Sequence, residues 1–256
     1  MDLAYAFSGF AVGAIVGLTG VGGGSLMTPL LVLFFGVAPA TAVGTDLLYA
    51  SITKAGGVVV HARRRHVRWD IVGRLAAGSL PGALLTIGIL HFAEIDRGAL
   101  TRVITQALGV ALILTAFAVL LRHRIQQWGS VASSARHARA TGPLTVVVGF
   151  ALGVLVTLSS VGAGALGVAA LVFLYPRLST VEVVGSDIAH AVPLTLVAGL
   201  GHAHLGTVDW GLLGSLLVGS LPGIWLGSTL SARVPDRLLR SGLASLLILI
   251  GGKLVL

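Results

Sequence analysis

The chain has 256 residues, of which 55% are hydrophobic and 10% are charged, and its formal net charge is +8. An ordinary soluble domain carries about 25% charged residues, so this composition predicts a polytopic, all-α membrane protein. The absence of cysteine excludes disulfides, thiol catalysis and thiolate metal sites. The arginines lie in short loops between apolar stretches, where they indicate topology and not nucleic-acid binding.

Five hydrophobic segments are predicted in the first half of the chain. The first begins at residue 3 without the basic stretch of a cleaved signal peptide, so we expect a membrane helix there. The second, about 12 residues long, is too short to cross a bilayer core that needs about 20 residues. The predicted segments are 3–19, 25–36, 41–60, 70–90 and 100–121.

A run of glycines joins the first two segments, with Gly20, Gly22, Gly23 and Gly24 followed by Ser25. Glycine loses the most backbone entropy in a helix, so the run predicts a break at membrane depth. Such irregular backbone is tolerated where it lines a polar cavity. A helix that restarts at Ser25 would point its free N–H groups into that cavity, which predicts an anion site formed by Gly22, Gly23, Gly24 and Ser25. Alternatively, the glycines only let helices pack closely.

The second half repeats the first at a spacing of roughly 140 residues, and internal duplication is typical of secondary transporters. The run Gly78-Ser79-Leu80-Pro81-Gly82 returns unchanged at 219–223. Ser160, Gly162 and Gly164 lie at the second glycine break, and we expect them to bind the same anionic substrate. We therefore expect a first repeat over 1–121, a basic linker over 122–142 and a second repeat over 143–256. The predicted segments of the second half are 143–159, 165–175, 181–201, 209–230 and 237–256.

Loop charges predict that the two repeats are inverted. The loop at 61–68 is rich in arginine and should be cytoplasmic, as should the linker. The loop at 202–209, which is the repeat counterpart of the loop at 61–68, contains no arginine or lysine, as inversion predicts. We expect two inverted repeats of about five segments each, with the first two of each half broken and partly re-entrant, and both termini extracytoplasmic.

The glycine motifs resemble those of a known family. Gly20-Val21-Gly22-Gly23-Gly24 with Pro29, the stretch Ala42-Val43-Gly44-Thr45-Asp46 and their weaker second copies resemble the TauE/SafE family, also called the sulfite exporter or TSUP family. The resemblance covers nearly all the chain. It implies a multi-pass protein of the cell membrane that moves sulfite, organosulfonates or related anions.

Lys54 is the outstanding polar residue, since it is the only basic residue in the middle of a segment. It lies roughly 10 Å from the cytoplasmic end of its predicted helix, too deep for comfortable snorkelling. A buried ammonium either binds an anionic substrate or pairs with a carboxylate, and Asp187 is expected at a similar depth. Both interpretations stay open at this point.

Four further residues are candidates for coupling or structural polar roles: Thr45, Asp46, Ser186 and His190. Asp46 could carry a coupling proton, or it could cap a helix start together with Thr45. His190 could relay protons or bind an oxyanion, or be a hydrogen-bonded structural histidine. His202, near a helix end, is expected to be solvated or interfacial.

The sequence favours a secondary transporter of a small oxyanion, such as sulfite or an organosulfonate. It would work by alternating access, with the substrate between the half-helix N-termini near the midplane. The alternative is a passive anion channel with the same filter. We expect no enzyme activity, because no nucleophile–base pair or metal trio is evident, and no cofactor or metal. The expected partners are a small anionic substrate, a coupling proton and the lipid bilayer, but no nucleic acid.

Overall fold

The computed structural model describes residues 3–19, 24–92, 97–131, 135–230 and 236–255. Within these ranges every regular element is an α-helix, which confirms the predicted all-α class. The described helices, in chain order, are α1 Leu3–Thr19, α2 Gly24–Phe35, α3 Pro39–Arg63, α4 Trp69–Phe92, α5 Arg97–Val131, α6 Ala135–Ser159, α7 Ala165–Leu174, α8 Thr180–His204, α9 Trp210–Leu230 and α10 Asp236–Val255.

The predicted segments match these helices one to one, but the ends around the linker differ. Helix α5 continues to Val131, ten residues beyond the predicted end of its segment, and α6 already begins at Ala135. The apolar stretch ends where charged and polar residues begin, but the helix continues through them. Arginine and glutamine, like alanine, have good helix propensity. Much of the stretch predicted as a linker is therefore helical.

Five helices are long and apolar enough to cross a membrane, counting only the described ranges. They are Trp69–Phe92, Gly98–Arg122, Thr141–Ser159, Thr180–His204 and Trp210–Gly227. Helices α2 and α7 have 12 and 10 residues, and neither can cross a core that needs about 20. This confirms that the second segment of each half is short.

Glycines bring α1 against α9 and α4 against α6. A Cβ added at Gly13 would lie 2.5 Å from the carbonyl oxygen of Ser220, and one added at Gly82 would lie 2.6 Å from that of Phe150. Such spacing requires glycine, as in other membrane helix pairs whose backbones approach closely. Under the repeat alignment, α1 corresponds to α6 and α9 to α4, so the same pairing occurs twice.

Helices α3 and α8 lie side by side and run antiparallel in the centre. Gly44 near the start of α3 faces His202 near the end of α8, whereas Gly57 faces Ile188. Between them, the Ser51 hydroxyl donates to the Val192 carbonyl at 3.4 Å. Polar side chains inside a membrane protein face the bundle interior, and this central pair carries most of the predicted polar site residues.

Each of these two helices also holds a loop from the other half. The Ser186 hydroxyl accepts a hydrogen bond from the Arg68 backbone N–H at 2.9 Å. At the other end, the Thr45 hydroxyl accepts from the Asp209 backbone N–H at 3.1 Å. The arginine-rich loop and its arginine-free counterpart therefore lie at opposite ends of the α3–α8 pair.

Candidate functional site

The described part of the site is centred on the irregular backbone between α6 and α7. Ser160 has φ 57°, and the two glycines Gly162 and Gly164 have φ 119° and 148°. These are values that glycine adopts readily and that a serine rarely does. Gly164 precedes the first turn of α7, and no side chain in the described ranges caps that helix start. The predicted break of the second half is thus present, with the N-terminus of α7 at its end.

Lys54 reaches this break from α3. Its Nζ donates to the carbonyl oxygen of Ala163 at 2.5 Å, and its side chain is half-buried. The residue lies nine positions before α3 ends at Arg63, so the ammonium is well inside the helix bundle. The sequence predicted the depth of Lys54 but not its contact with the break.

Lys54 does not form a direct ion pair with a carboxylate of the described residues. No such carboxylate oxygen lies within 4.0 Å of its Nζ, although the charges of Asp187 and Asp46 both act on it. A fixed Lys54–Asp187 contact pair is therefore not what the structure contains. The ammonium instead contacts the neutral carbonyl of Ala163, and Asp46 and Asp187 are near enough for their charges to act on it.

Asp46 is fully buried and is bound by a residue of the short helix α2. The Thr28 hydroxyl donates to Asp46 Oδ2 at 2.5 Å, while Asp46 Oδ1 has no hydrogen-bond partner among the described residues. The interpretation of Asp46 as a helix cap is wrong, because α3 begins at Pro39, well before it. Thr45 binds the loop at Asp209 and does not line the site.

Asp187 packs directly against the short helix α7. It is 2% exposed, and its Oδ1 occupies the space that a Cβ on Gly167 would need. Among the described residues that oxygen has no hydrogen-bond donor. A buried polar atom without a partner is costly, so this carboxyl is a place where a proton, a ligand or a conformational change would lower the free energy.

His190 lies one turn beyond Asp187 and contacts α4. Its Nε2 is 2.8 Å from the Ser79 hydroxyl, and its Nδ1 has no partner among the described residues. His190 is thus hydrogen-bonded through Nε2, as one of its two interpretations expected, whereas Nδ1 could still bind a ligand or a proton. Tyr49 takes the matching position on α3, where it is fully buried and its hydroxyl has no hydrogen-bond partner in the described part of the chain.

The predicted anion-site residues of the first half are only partly described. Gly22 and Gly23 lie outside the described residues. Gly24 is the first residue of α2, as the sequence predicted, and Ser25 is the second. Helix α2 enters the site through Thr28, one turn further on, a residue that the glycine pattern did not indicate. The available signal was that Thr28 is the one polar residue of this 12-residue helix beyond its N-terminal Ser25.

His202 differs from its prediction as a solvated or interfacial residue. It is 1% exposed, and its two ring nitrogens lie 2.9 Å from the Thr207 hydroxyl and the Thr157 carbonyl. Both nitrogens are occupied by these bonds, so the ring serves to join α8, the following loop and α6. Within the described ranges, no group of three histidine or acidic residues is arranged to hold a metal ion.

Comparison with known proteins identifies the family. The model of the sulfite exporter TauE/SafE family matches residues 5–254. The chain belongs to the TauE/SafE family. It is 40% identical over 261 aligned positions to the probable membrane transporter protein YjnA of Bacillus subtilis, with 100% of both chains covered.

More distant relatives agree with this assignment. The probable membrane transporter protein YdhB of Bacillus subtilis is 31% identical over 91% of this chain and 92% of its own. A probable membrane transporter protein of Xylella fastidiosa is 29% identical over 89% of this chain and 84% of its own. No solved structure matches the chain significantly. The chain is thus a multi-pass protein of a family of membrane transporters.

Proposed function

We propose that this TauE/SafE protein is a secondary transporter of a small oxyanion of the sulfite or organosulfonate class. The anion binds near the membrane midplane, between the N-termini of the short helices α2 and α7, and is carried by alternating access. The contact between Lys54 and the carbonyl of Ala163 carries the proposal, because it brings a half-buried cation to the break that precedes α7. Half-helix N-termini at a midplane site are a recurring anion-binding arrangement in transporters.

The bonding of Lys54 supports an anion as the missing partner. An ammonium has three N–H donors, and among the described residues only the Ala163 carbonyl accepts one of them. A cation inside a membrane helix bundle needs negative charge nearby, and the carboxylates of Asp46 and Asp187 are not in direct contact with Lys54. An oxyanion at Nζ would accept the remaining hydrogen bonds and supply that charge.

The backbone of the breaks provides the other ligands in this proposal. Ser160 is 3% exposed, and its hydroxyl has no partner among the described residues. Together with the backbone at Gly162 and Gly164, it lies on the same break as the Lys54 contact. In the first half we assign the matching role to residues 22–25. The positive end of each short helix then faces the anion.

Asp46 and Asp187 are the proposed coupling groups. Each is buried and has one carboxyl oxygen without a partner among the described residues. Burying an ionised carboxylate without a donor is expensive, so proton uptake is the simplest way to neutralise it when no cation is in contact. Each also contacts one short helix, through Thr28 or Gly167, so its protonation state can influence the helix that holds the anion.

The two halves, 1–121 and 143–256, are proposed to be inverted repeats joined by a cytoplasmic linker over 122–142. The reciprocal contacts of Ser186 with Arg68 and of Thr45 with Asp209 support this, since they relate matching residues at opposite ends of the bundle. With the arginine-rich loop in the cytoplasm, both termini are extracytoplasmic. The breaks make the first two helices of each half partly re-entrant.

Uptake into proteoliposomes tests the proposal. Labelled sulfite and a small labelled sulfonate should enter saturably, and an imposed pH gradient should change the rate of entry. Liposomes without protein are the control for leakage. If neither anion is taken up faster than in that control, the proposed substrate class is wrong. Flux that survives collapse of the proton gradient, together with single-channel currents, would indicate a passive anion channel that uses the same filter.

A further inference from the structure

A polar cavity lies away from the Lys54 site, where the end of α5, the end of α7 and the start of α8 meet. Its volume is about 200 Å³. Two polar residues of α5 and one tyrosine face an apolar floor from α7 and α8. The lining residues are Arg122, Gln126, Val172, Tyr175, Pro176, Leu178, Thr180 and Val183.

The position of Arg122 places this cavity at the membrane boundary. The apolar stretch of α5 ends at Leu121, and the half-buried Arg122 is the first of the charged and polar residues through which the helix continues. Gln126 follows four residues later, so both side chains project from one face of α5. The floor is apolar, with Val172 only 7% and Val183 only 1% exposed. The cavity therefore combines a cation at headgroup depth with a surface suited to hydrocarbon.

The same end of the molecule is strongly basic. The loop after α3 contributes Arg64 and Arg65, and Arg68 contacts the first turns of α8 through Glu182 at 3.9 Å. Arg177 is exposed immediately before α8. Basic pockets at the cytoplasmic ends of membrane helices attract anionic headgroups, and the surface potential of that leaflet adds to the attraction.

We propose that this cavity binds the phosphodiester headgroup of an anionic phospholipid. The Arg122 guanidinium contacts the phosphate oxygens, Gln126 contributes a further donor, and the first carbons of the lipid lie on Val172 and Val183. Arginine suits a phosphate because its fork of N–H donors contacts two oxygens at once. An apolar floor beside the cation favours a lipid phosphate over a free one. The proposal goes beyond the transport function and does not depend on the transported anion.

Native mass spectrometry on purified full-length protein tests the proposal, with phosphatidylglycerol or phosphatidylcholine added at low molar excess. The wild type should retain phosphatidylglycerol in preference to phosphatidylcholine. Arg122→Gln should reduce that retention about tenfold or more, the effect of losing a charge-assisted contact. Arg124→Gln is the matched control, because it removes the same charge from the same helix but does not line the cavity.

Three outcomes overturn the proposal. One is equal retention of phosphatidylglycerol by the wild type and Arg122→Gln. Another is an equal loss in Arg124→Gln, which would indicate only a diffuse charge effect. The third is displacement of the lipid by inorganic phosphate at millimolar concentration, which would assign the cavity to a free anion. Should Arg122→Gln fail to fold, Gln126→Glu replaces it, since this exposed residue tolerates the change and its carboxylate should repel the headgroup.

Discussion

Replacing Lys54 with glutamine tests the candidate anion site most directly. Of the three N–H donors on Nζ, one contacts Ala163, so at most two can contact an anion. A hydrogen bond between charged groups contributes about 1.5–3 kcal/mol. Since 1.4 kcal/mol is a factor of ten in affinity, the loss of one such bond should weaken anion binding about 10- to 150-fold.

Titration calorimetry with sulfite on monodisperse detergent-solubilised protein measures this change. Lys253→Gln is the matched control, because it removes the chain's other lysine, which is exposed near the end of α10. It should bind the anion as the wild type does. Asp187→Asn should also leave most of the affinity intact, since this carboxylate is not in direct contact with the ammonium.

Stability measurements on the same variants distinguish an anion ligand from a fixed ion pair. If Lys54 and Asp187 stabilised each other as a buried pair, either single change would destabilise the fold by about 3–5 kcal/mol. The double variant would then recover stability, which a double-mutant cycle detects. We expect no such recovery. Unchanged anion affinity in well-folded Lys54→Gln would refute the assignment of Lys54 to the site.

Three further predictions concern topology, the first break and the Asp46 contact. Single cysteines in place of Ala62 and Ala203 should be labelled from opposite sides of the membrane, and labelling from one side would exclude inversion. Gly23→Leu should abolish uptake and anion binding, because its side chain would fill the space before the α2 N-terminus. Thr28→Val should lower the free energy of unfolding by about 1.5–3 kcal/mol by removing the 2.5 Å hydrogen bond to Asp46, whereas Thr28→Ser should restore most of it. Equal thermal stability of the valine and serine variants would contradict this last prediction.

The helices were predictable because hydrophobic segment length is a strong signal in a membrane protein. Even the short helices α2 and α7 follow from apolar runs bounded by glycine or by Tyr175 and Pro176. The extension of α5 beyond Leu121 was not predictable in this way, because polar helical residues and polar loop residues have the same hydropathy. Helix propensity was the better guide there.

Side-chain contacts of the site were harder to predict than its location. The depth of Lys54 and the break at Ser160–Gly164 follow from spacing and glycine content. The Lys54 ammonium contacts the carbonyl of Ala163, 109 residues away, and this contact depends on how α3 packs against α6 and α8. Thr45 and Ser186 bind loops of the opposite half, and these contacts were not predictable either because they also depend on how the helices pack. His202 was expected to be solvated or interfacial because it lies near the end of α8, but its ring binds the Thr157 carbonyl of α6.

The pairing of α1 with α9 and of α4 with α6 has a consequence for biosynthesis. The glycine faces of α1 and α4 pack against α9 and α6 of the other half, so neither half can bury these faces when it is made alone. Helix α1 leaves the ribosome roughly 190 residues before α9 begins, a delay of about 10–40 s at ordinary synthesis rates. During that time its glycine face has only lipid or the insertion machinery to contact. Separately expressed halves should consequently be degraded, and co-expression of both should restore a stable protein.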